Sequence, residues 1–365
     1  MRERVFHHPG FSNISRPSGW AILARVIVEK QSTTKHVPLE KHPENPERIT
    51  VLVDRLDKQG FRVEYVSRNV DVQEARKIAS RIHARGYIQY LEKLSRYNYS
   101  IVDEDTYLTS DSMELAYTTF QTSYELALSL NEPVFYVSRP PGHHAGRGGK
   151  AMRALSQGFC LLNNAGAAVL GFKDRGLTRI AIVDFDVHHG NGTMEIFYDE
   201  KILQVDLHQH PDTLYPYTGY PFEIGEGEGY GFKANLVFNP FTGDDVYLRV
   251  LSMVQELLEG FNPEALVVSA GFDGFLNDGL SDLRLTEASY EALGRLIRGL
   301  EAPTLIILEG GYSVGLTRGV ESFLNGLTGR EVNYAASKTL RATEVEGIVR
   351  INEKTILKVR KRAIG

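Results

Sequence analysis

Five short stretches of the chain are almost continuously apolar: "PVFYVS" (133–138), "RIAIVDF" (179–185), "ILQVDL" (202–207), "ALVVSA" (265–270) and "TLIILEG" (304–310). A strand with one wet face would alternate apolar and polar residues. Unbroken runs predict strands covered on both sides, as in a parallel sheet held between helical layers. Between these runs, apolar residues recur at helical spacing over 111–130, 244–261 and 286–300. Gly260 is placed to stop the second helix and Thr286 to cap the third. The periodicity of 338–363 predicts a C-terminal helix packed on the surface. "ISRPSGWAILARVIVEKQ" (14–31) reads as a strand or a short helix. The pattern predicts an α/β protein of three layers, with a central, mostly parallel sheet flanked by helices. No repeat or linker-like stretch breaks residues 1–365, so one domain is expected.

Composition narrows the class of partner. The chain has 365 residues, 42% hydrophobic and 24% charged, as in ordinary globular proteins. Its formal charge is −5, whereas a direct nucleic-acid binder would carry a concentrated basic face. The basic "KVRKRAIG" at the C-terminus suits the solvated last turn of a helix. No run is long enough to span a bilayer, and "MRERVFHHPG" lacks the apolar stretch of a signal peptide. Cys160 is the only cysteine, which excludes an intrachain disulfide and fits a cytoplasmic location.

In sheets of this kind, ligands bind beyond the carboxyl ends of the strands. The five runs are followed in turn by "RPPGHHAGRGG", "DFDVHHGNG", "HQHPDTLYPYTG", "GFDGFLNDG" and "EGGYS". Asp184, Asp186 and His188 alternate along an extended chain and so point to one side. Asp186 and His188 can chelate one ion, with Asp273 from another strand end as third ligand. Three protein ligands with room for water mark a catalytic site. Zinc is the natural metal, and carboxylate-rich ligation also tolerates iron(II) or cobalt. A lone pair of aspartates would more simply cap a helix, but similar chemistry recurs at four other strand ends. His143 and His144 suit proton handling beside a metal-activated water. The Tyr312 hydroxyl, after two glycines, could reach a developing oxyanion.

The ordered segments "RPPGHHAG", "GFCLLNNAGAA", "DFDVHHGNGT", "AGFDGF" and "LEGGY" resemble signatures of the histone deacetylase superfamily. That group includes acetylpolyamine amidohydrolases and acetoin-utilisation-type proteins. "KHPENPERI" (41–49) and "DEDTYLT" (103–109) resemble its early motifs, so the similarity runs from about residue 40 to 330. The resemblance implies the arginase/deacetylase fold and a zinc-dependent amidohydrolase. Asp186, His188 and Asp273 then match the metal ligands, and His144 the general base and later acid. His143 matches its electrostatic partner, Asp184 the carboxylate that orients His143, and Tyr312 the oxyanion donor. Gly158, Phe159, Tyr215, Leu280, Gly310 and Asp105 match the substrate tunnel. A potassium ion is implied near Asp184, Asp186, His188, Asp206 and Leu207.

Three departures stand out. Asn191 occupies a place where many nuclear-type members have aspartate beside the second histidine. The loop 145–157 is longer than the usual connector, and is expected either to line the mouth, to pack on another subunit or to be mobile. "HPDTLYPYTGY" differs from the common "FFPGTG", with His208 and His210 expected as polar loop groups near the mouth. His7, His8, His36 and His42 take no role. The implied reaction is hydrolysis of a terminal acetamide on acetyl-lysine, an acetylated polyamine or another small amine, with a homo-oligomer expected for some such enzymes. Two other functions compete. An arginase-type ureohydrolase would need a second metal, with only Asp278 as an extra carboxylate after Asp273. A catalytically silent binding protein would have lost one of the site groups.

Overall fold

The computed structural model describes residues 25–68 and 70–365; His7, His8 and the start of the 14–31 segment lie outside them. Eight strands form one sheet: β1 (Arg25–Glu29), β2 (Val63–Val66), β5 (Val134–Val137), β6 (Ile180–Asp184), β7 (Leu203–Gln209), β8 (Lys233–Phe238), β9 (Ala265–Ala270) and β10 (Thr304–Leu308). Their order is β2-β1-β5-β10-β9-β6-β7-β8, and every pairing is parallel. The short β3 (Tyr99–Ile101) and β4 (Tyr107–Thr109) make a separate antiparallel hairpin.

The helices are α1 (Glu47–Lys58), α2 (Val72–Ala79), α3 (Arg85–Leu94), α4 (Ser112–Ser129), α5 (Asn164–Asp174), α6 (Asn191–Ile196), α7 (Asp244–Phe261), α8 (Glu287–Gly299), α9 (Val320–Thr328) and α10 (Val345–Ala363). The unbroken apolar runs have their expected cause. Successive strand residues point to opposite faces, so Val26, Val28, Phe135, Val137 and Val183 enter one core with α1 and α7 to α10. Ile27, Val134, Tyr136, Ile182 and Ile307 enter a second core with α2 to α5. Each fully buried Val, Leu or Ile contributes about 1.5–3 kcal/mol, and neither face of the central strands is left to water.

The structure makes 25–29 of the 14–31 segment a strand, β1, and adds β2 and β8 to the expected strands. β8 opens on Lys233, a residue that hides a buried strand from a hydropathy reading. Its ammonium donates to the carbonyls of Ile202 (2.7 Å) and Glu200 (3.1 Å), and burial pushes its pKa down to about 7. β7 runs on to Gln209, so His208 is not a loop group at the mouth. It is a fully buried sheet residue facing Asp206 Oδ1 at 2.7 Å and the Gly219 carbonyl at 2.9 Å. The expected C-terminal helix begins at 345 rather than 338. Before it, Ser337 and Thr339 donate their backbone N–H groups to Asp244 and Asp245, at the start of α7. That contact holds the segment off helical geometry.

Candidate active site

The strand-end segments after β5, β6, β9 and β10 meet at one edge of the sheet. Asp186 and His188 follow β6, and Asp273 follows β9. His188 Nδ1 lies 3.0 Å from both Asp186 Oδ1 and Asp273 Oδ2, and one ligand atom from each of the three residues falls within 4.8 Å of the others. The backbone fixes the two carboxylates. Asp186 accepts N–H bonds from Gly310 (2.8 Å) and His188 (2.9 Å), and Asp273 accepts one from Val187 (3.0 Å). Gly310 has to be glycine: a Cβ there would come within 2.3 Å of Asp273 Oδ2 and 2.5 Å of Asp186 Oδ2.

The electrostatics fit a cation. Asp273 Oδ2 is buried and makes no well-aligned hydrogen bond, although His188 Nδ1 lies 3.0 Å away; two ligand atoms this close suit a shared cation better than a bond to each other. Burial opposes a charge on His188, but Asp273 and Asp186 outweigh it and lift the imidazole to about 9. Burial, with Asp186 adding to it, pushes Asp273 up to about 6 against the pull of His188. Two carboxylates and an imidazole nitrogen, with one carboxylate oxygen unsatisfied, form a donor set for a divalent transition ion.

His143 and His144 follow β5 and differ sharply. His143 Nδ1 lies 3.1 Å from Asp184 Oδ2 at the end of β6. Burial resists its protonation, yet Asp184 and Asp186 outweigh that and raise it well above an ordinary imidazole. His144 goes the other way: burial first, then the charges of His143 and His188, hold it well below the usual range. Its tautomer can be read from its partner. Asn191 Nδ2 donates to the Ala151 carbonyl at 3.0 Å, which turns Asn191 Oδ1 toward His144 Nδ1 at 2.7 Å. His144 therefore carries its proton on Nδ1 and keeps Nε2 as the basic nitrogen.

A cavity of about 240 Å³ opens onto these groups, lined also by Asp105, Gly158, Phe159, Tyr215, Leu280, Gly310 and Tyr312. Phe159 meets Tyr312 edge-on (centroids 5.9 Å) and Tyr215 meets His144 edge-on (5.0 Å). Burial pushes the Tyr312 phenol well above its ordinary value, so the hydroxyl stays a donor. Asp184 and Asp206 are register neighbours on β6 and β7 beneath this floor. The Asp206 carboxylate accepts the Gly190 N–H (3.0 Å) as well as facing His208.

Several residues that support this site carry no role in the sequence reading. Arg139 is fully buried and grips both oxygens of Glu44, at 2.6 and 2.8 Å, as well as three carbonyls of the 32–36 segment. Breaking such a buried pair costs about 3–5 kcal/mol. Arg48 donates to the carbonyls of Glu309 (2.5 Å) and Gly311 (2.9 Å) and stacks over the Tyr312 ring at 4.6 Å. Glu44 and Arg48 are the working parts of "KHPENPERI", and Arg139 opens "RPPGHHAG". His36 and His42, unassigned from sequence, pack in the same region: His36 stacks on Tyr107, and His42 meets Phe159 edge-on. Asp278 accepts N–H bonds from Tyr312, Ser313 and Gly315, each at 2.8 Å. It ties down the Tyr312 turn rather than supplying a second metal, which removes the ureohydrolase's extra carboxylate. The 145–157 loop does not line the cavity. Glu195 holds it through the N–H groups of Arg147 (3.0 Å) and Met152 (2.8 Å).

Residues 42–327 match the family defined by the histone deacetylase domain. The chain belongs to the histone deacetylase family. A probable deacetylase of Archaeoglobus fulgidus is 34% identical over 300 residues, covering 79% of this chain and 81% of that one. Acetylpolyamine amidohydrolase 1 of Pseudomonas aeruginosa is 38% identical over 221 residues, 59% of this chain and 62% of its own length. Among solved structures, the HDA15 HD domain aligns with a TM-score of 0.77 at 27% identity, over 94% of this chain and 95% of that one. This deacetylase-family chain is thus placed among hydrolases acting on amide bonds. The match starts at His42 and ends at Leu327 in α9, so β1 and α10 lie outside it. Among the described residues, no helix is long and apolar enough to cross a membrane.

Proposed function

We propose that the protein is a zinc-dependent deacetylase that hydrolyses a terminal acetamide carried on a slender amine, either acetyl-lysine or an acetylated polyamine or other small amine. The observation that carries this reading is the grouping of Asp186, His188 and Asp273 opposite His143, His144 and Tyr312 around one cavity.

Asp186, His188 and Asp273 would hold the ion. What zinc supplies in such a site is Lewis acidity toward a carbonyl and a water of lowered pKa. The rest is the work of the chain. Phe159 and Tyr215 confine the alkyl stem and exclude water around it, and Asp105 offers a carboxylate to an N–H of the substrate. His144 Nε2 takes a proton from the attacking water, because Asn191 keeps its other nitrogen protonated. The charged His143, held by Asp184, stays protonated and favours negative charge developing on the acyl oxygen. Tyr312 donates its hydroxyl to that oxygen. His144 then returns its proton to the departing amine, and acetate and free amine leave.

The test is acetate release by the zinc-loaded protein from an acetyl-lysine peptide and from acetylputrescine, with His144→Ala as control. Release above the control from either substrate supports the reading, and the preferred one names the substrate class. Release from neither overturns it.

A further inference from the structure

The aromatic Tyr215 and the carboxylate of Asp105 both line the cavity and come from distant parts of the chain, yet both are tied to a single buried residue that does not line it. Ser156 lies near the end of the long 145–157 loop. Its hydroxyl donates to Asp105 Oδ2 at 2.5 Å, and its carbonyl accepts the Tyr215 hydroxyl at 3.0 Å. The next residues extend the seam: the Gln157 N–H donates to Asp103 Oδ2 (2.9 Å) and the Phe159 N–H to Thr106 Oγ1 (3.2 Å). Residues 156–159 are therefore bonded along one side to the 103–106 turn and on the other to Tyr215.

The backbone between Ser156 and Phe159 leaves little freedom. Gly158 and Phe159 both have positive φ, at 51° and 70°. A Cβ on Gly158 would come within 2.4 Å of His144 Cδ2 and 3.0 Å of Tyr215 Cε1. One wall thus starts two residues from the group that anchors the other.

We infer that Ser156 is the positioning residue that sets the bore of the tunnel, its hydroxyl fixing Asp105 and its carbonyl fixing Tyr215, so that the protein selects amides on straight, unbranched alkyl stems over those on flat aromatic stems. This rests on the deacetylase reading for the identity of the amide, but not for the selection itself. The two links can be cut separately. Ser156→Ala removes the hydroxyl and leaves the carbonyl. Tyr215→Phe removes the donor to that carbonyl and keeps the ring. Ser156→Thr keeps a hydroxyl.

The bore can be read without turnover. Two hydroxamic acids share a metal-chelating head, one on a straight butyl stem and one on a benzyl stem. Calorimetry on the zinc-loaded protein gives the ratio of their affinities. The expected result is a preference of about tenfold for the butyl stem in the unchanged protein. It falls about fivefold in Ser156→Ala and in Tyr215→Phe and is restored in Ser156→Thr. A merely structural role for Ser156 would lower melting temperature and weaken both ligands alike, leaving the ratio where it was. An unchanged ratio in both variants overturns the inference, as does a benzyl preference in the unchanged protein. Acetate release from N-acetylbutylamine and N-acetylbenzylamine, run beside it, keeps the two ideas apart. Hydroxamates that discriminate while neither amide is cleaved would sink the acetamide reading and leave the bore standing.

Discussion

The floor of the cavity and its walls are built by different means. On the floor, the ligand carboxylates are aimed by backbone N–H groups of Gly310, His188 and Val187, at the ends of strands packed on both faces. The walls are held by side chains reaching across loops, as in the Ser156–Asp105, Tyr215–Ser156 and Phe159–Thr106 contacts. Backbone placement leaves a group little room to adapt, whereas a side-chain tether can be cut and its wall still stand. Damage to the floor should therefore abolish chemistry, and damage to the walls should retune binding and selection.

The largest effect expected is for His188→Ala. It leaves two buried carboxylates facing each other, and it should cost about 10³-fold or more in kcat together with loss of stoichiometric zinc by metal analysis. A variant that keeps both its zinc and its rate would break the contrast at its strong end. Tyr312→Phe keeps the ring over which Arg48 stacks and removes only the donor. Its kcat should fall about 10²- to 10³-fold with KM little changed. Asp278→Ala sharpens the comparison from within, because Asp278 acts on the floor at one remove. Three buried or half-buried N–H groups of the Tyr312 turn lose their acceptor, so a loss of about tenfold in kcat and about 2 kcal/mol of stability is expected from steady-state kinetics and denaturant melts.

The smallest effect is a shift along the pH axis. His144 works as a base only when unprotonated, so activity should rise with pH through its pKa. Burial and the nearby positive charges of His143 and His188 keep that pKa low. Asn191→Asp puts a carboxylate 2.7 Å from Nδ1, which favours the protonated form and should move the acid limb of the kcat/KM profile up by about one unit. A limb that stays in place would show that Asn191 orients His144 without tuning it.

The same division explains what the sequence disclosed. Floor residues lie in short motifs at strand ends, where acids and imidazoles break long apolar runs, so Asp186, His188 and Asp273 can be grouped from the order of residues alone. The arginine supports are less visible. Arg48 and Arg139 lie within recognisable motifs, but a charged residue in a motif gives no hint that it will be buried against carbonyls a hundred or more residues away. Ser156 is invisible, because a serine near the end of a long loop looks like solvent-facing polarity. β8 escapes a hydropathy reading because Lys233 opens it, and His208 is misplaced because β7 runs two residues past its apolar core. In each case a tertiary hydrogen bond overrides the local pattern.

The sheet order carries a consequence for how the enzyme comes into being. β10, the last strand in the sequence, pairs with β5 on one side and β9 on the other. Until it arrives, the strands fall into two separate sets, β2-β1-β5 and β9-β6-β7-β8, each with an edge that only β10 covers. His143 and His144 belong to the first set, Asp186, His188 and Asp273 to the second, and Tyr312 follows the strand that joins them. A chain emerging from the ribosome thus carries Asp186, His188 and Asp273 well before Tyr312 can join them. A product truncated ahead of residue 304 would present those two unpaired edges to other chains. Long-range pairing of this kind makes folding slow, so the two halves of the site come together only when β10 takes its place between β5 and β9.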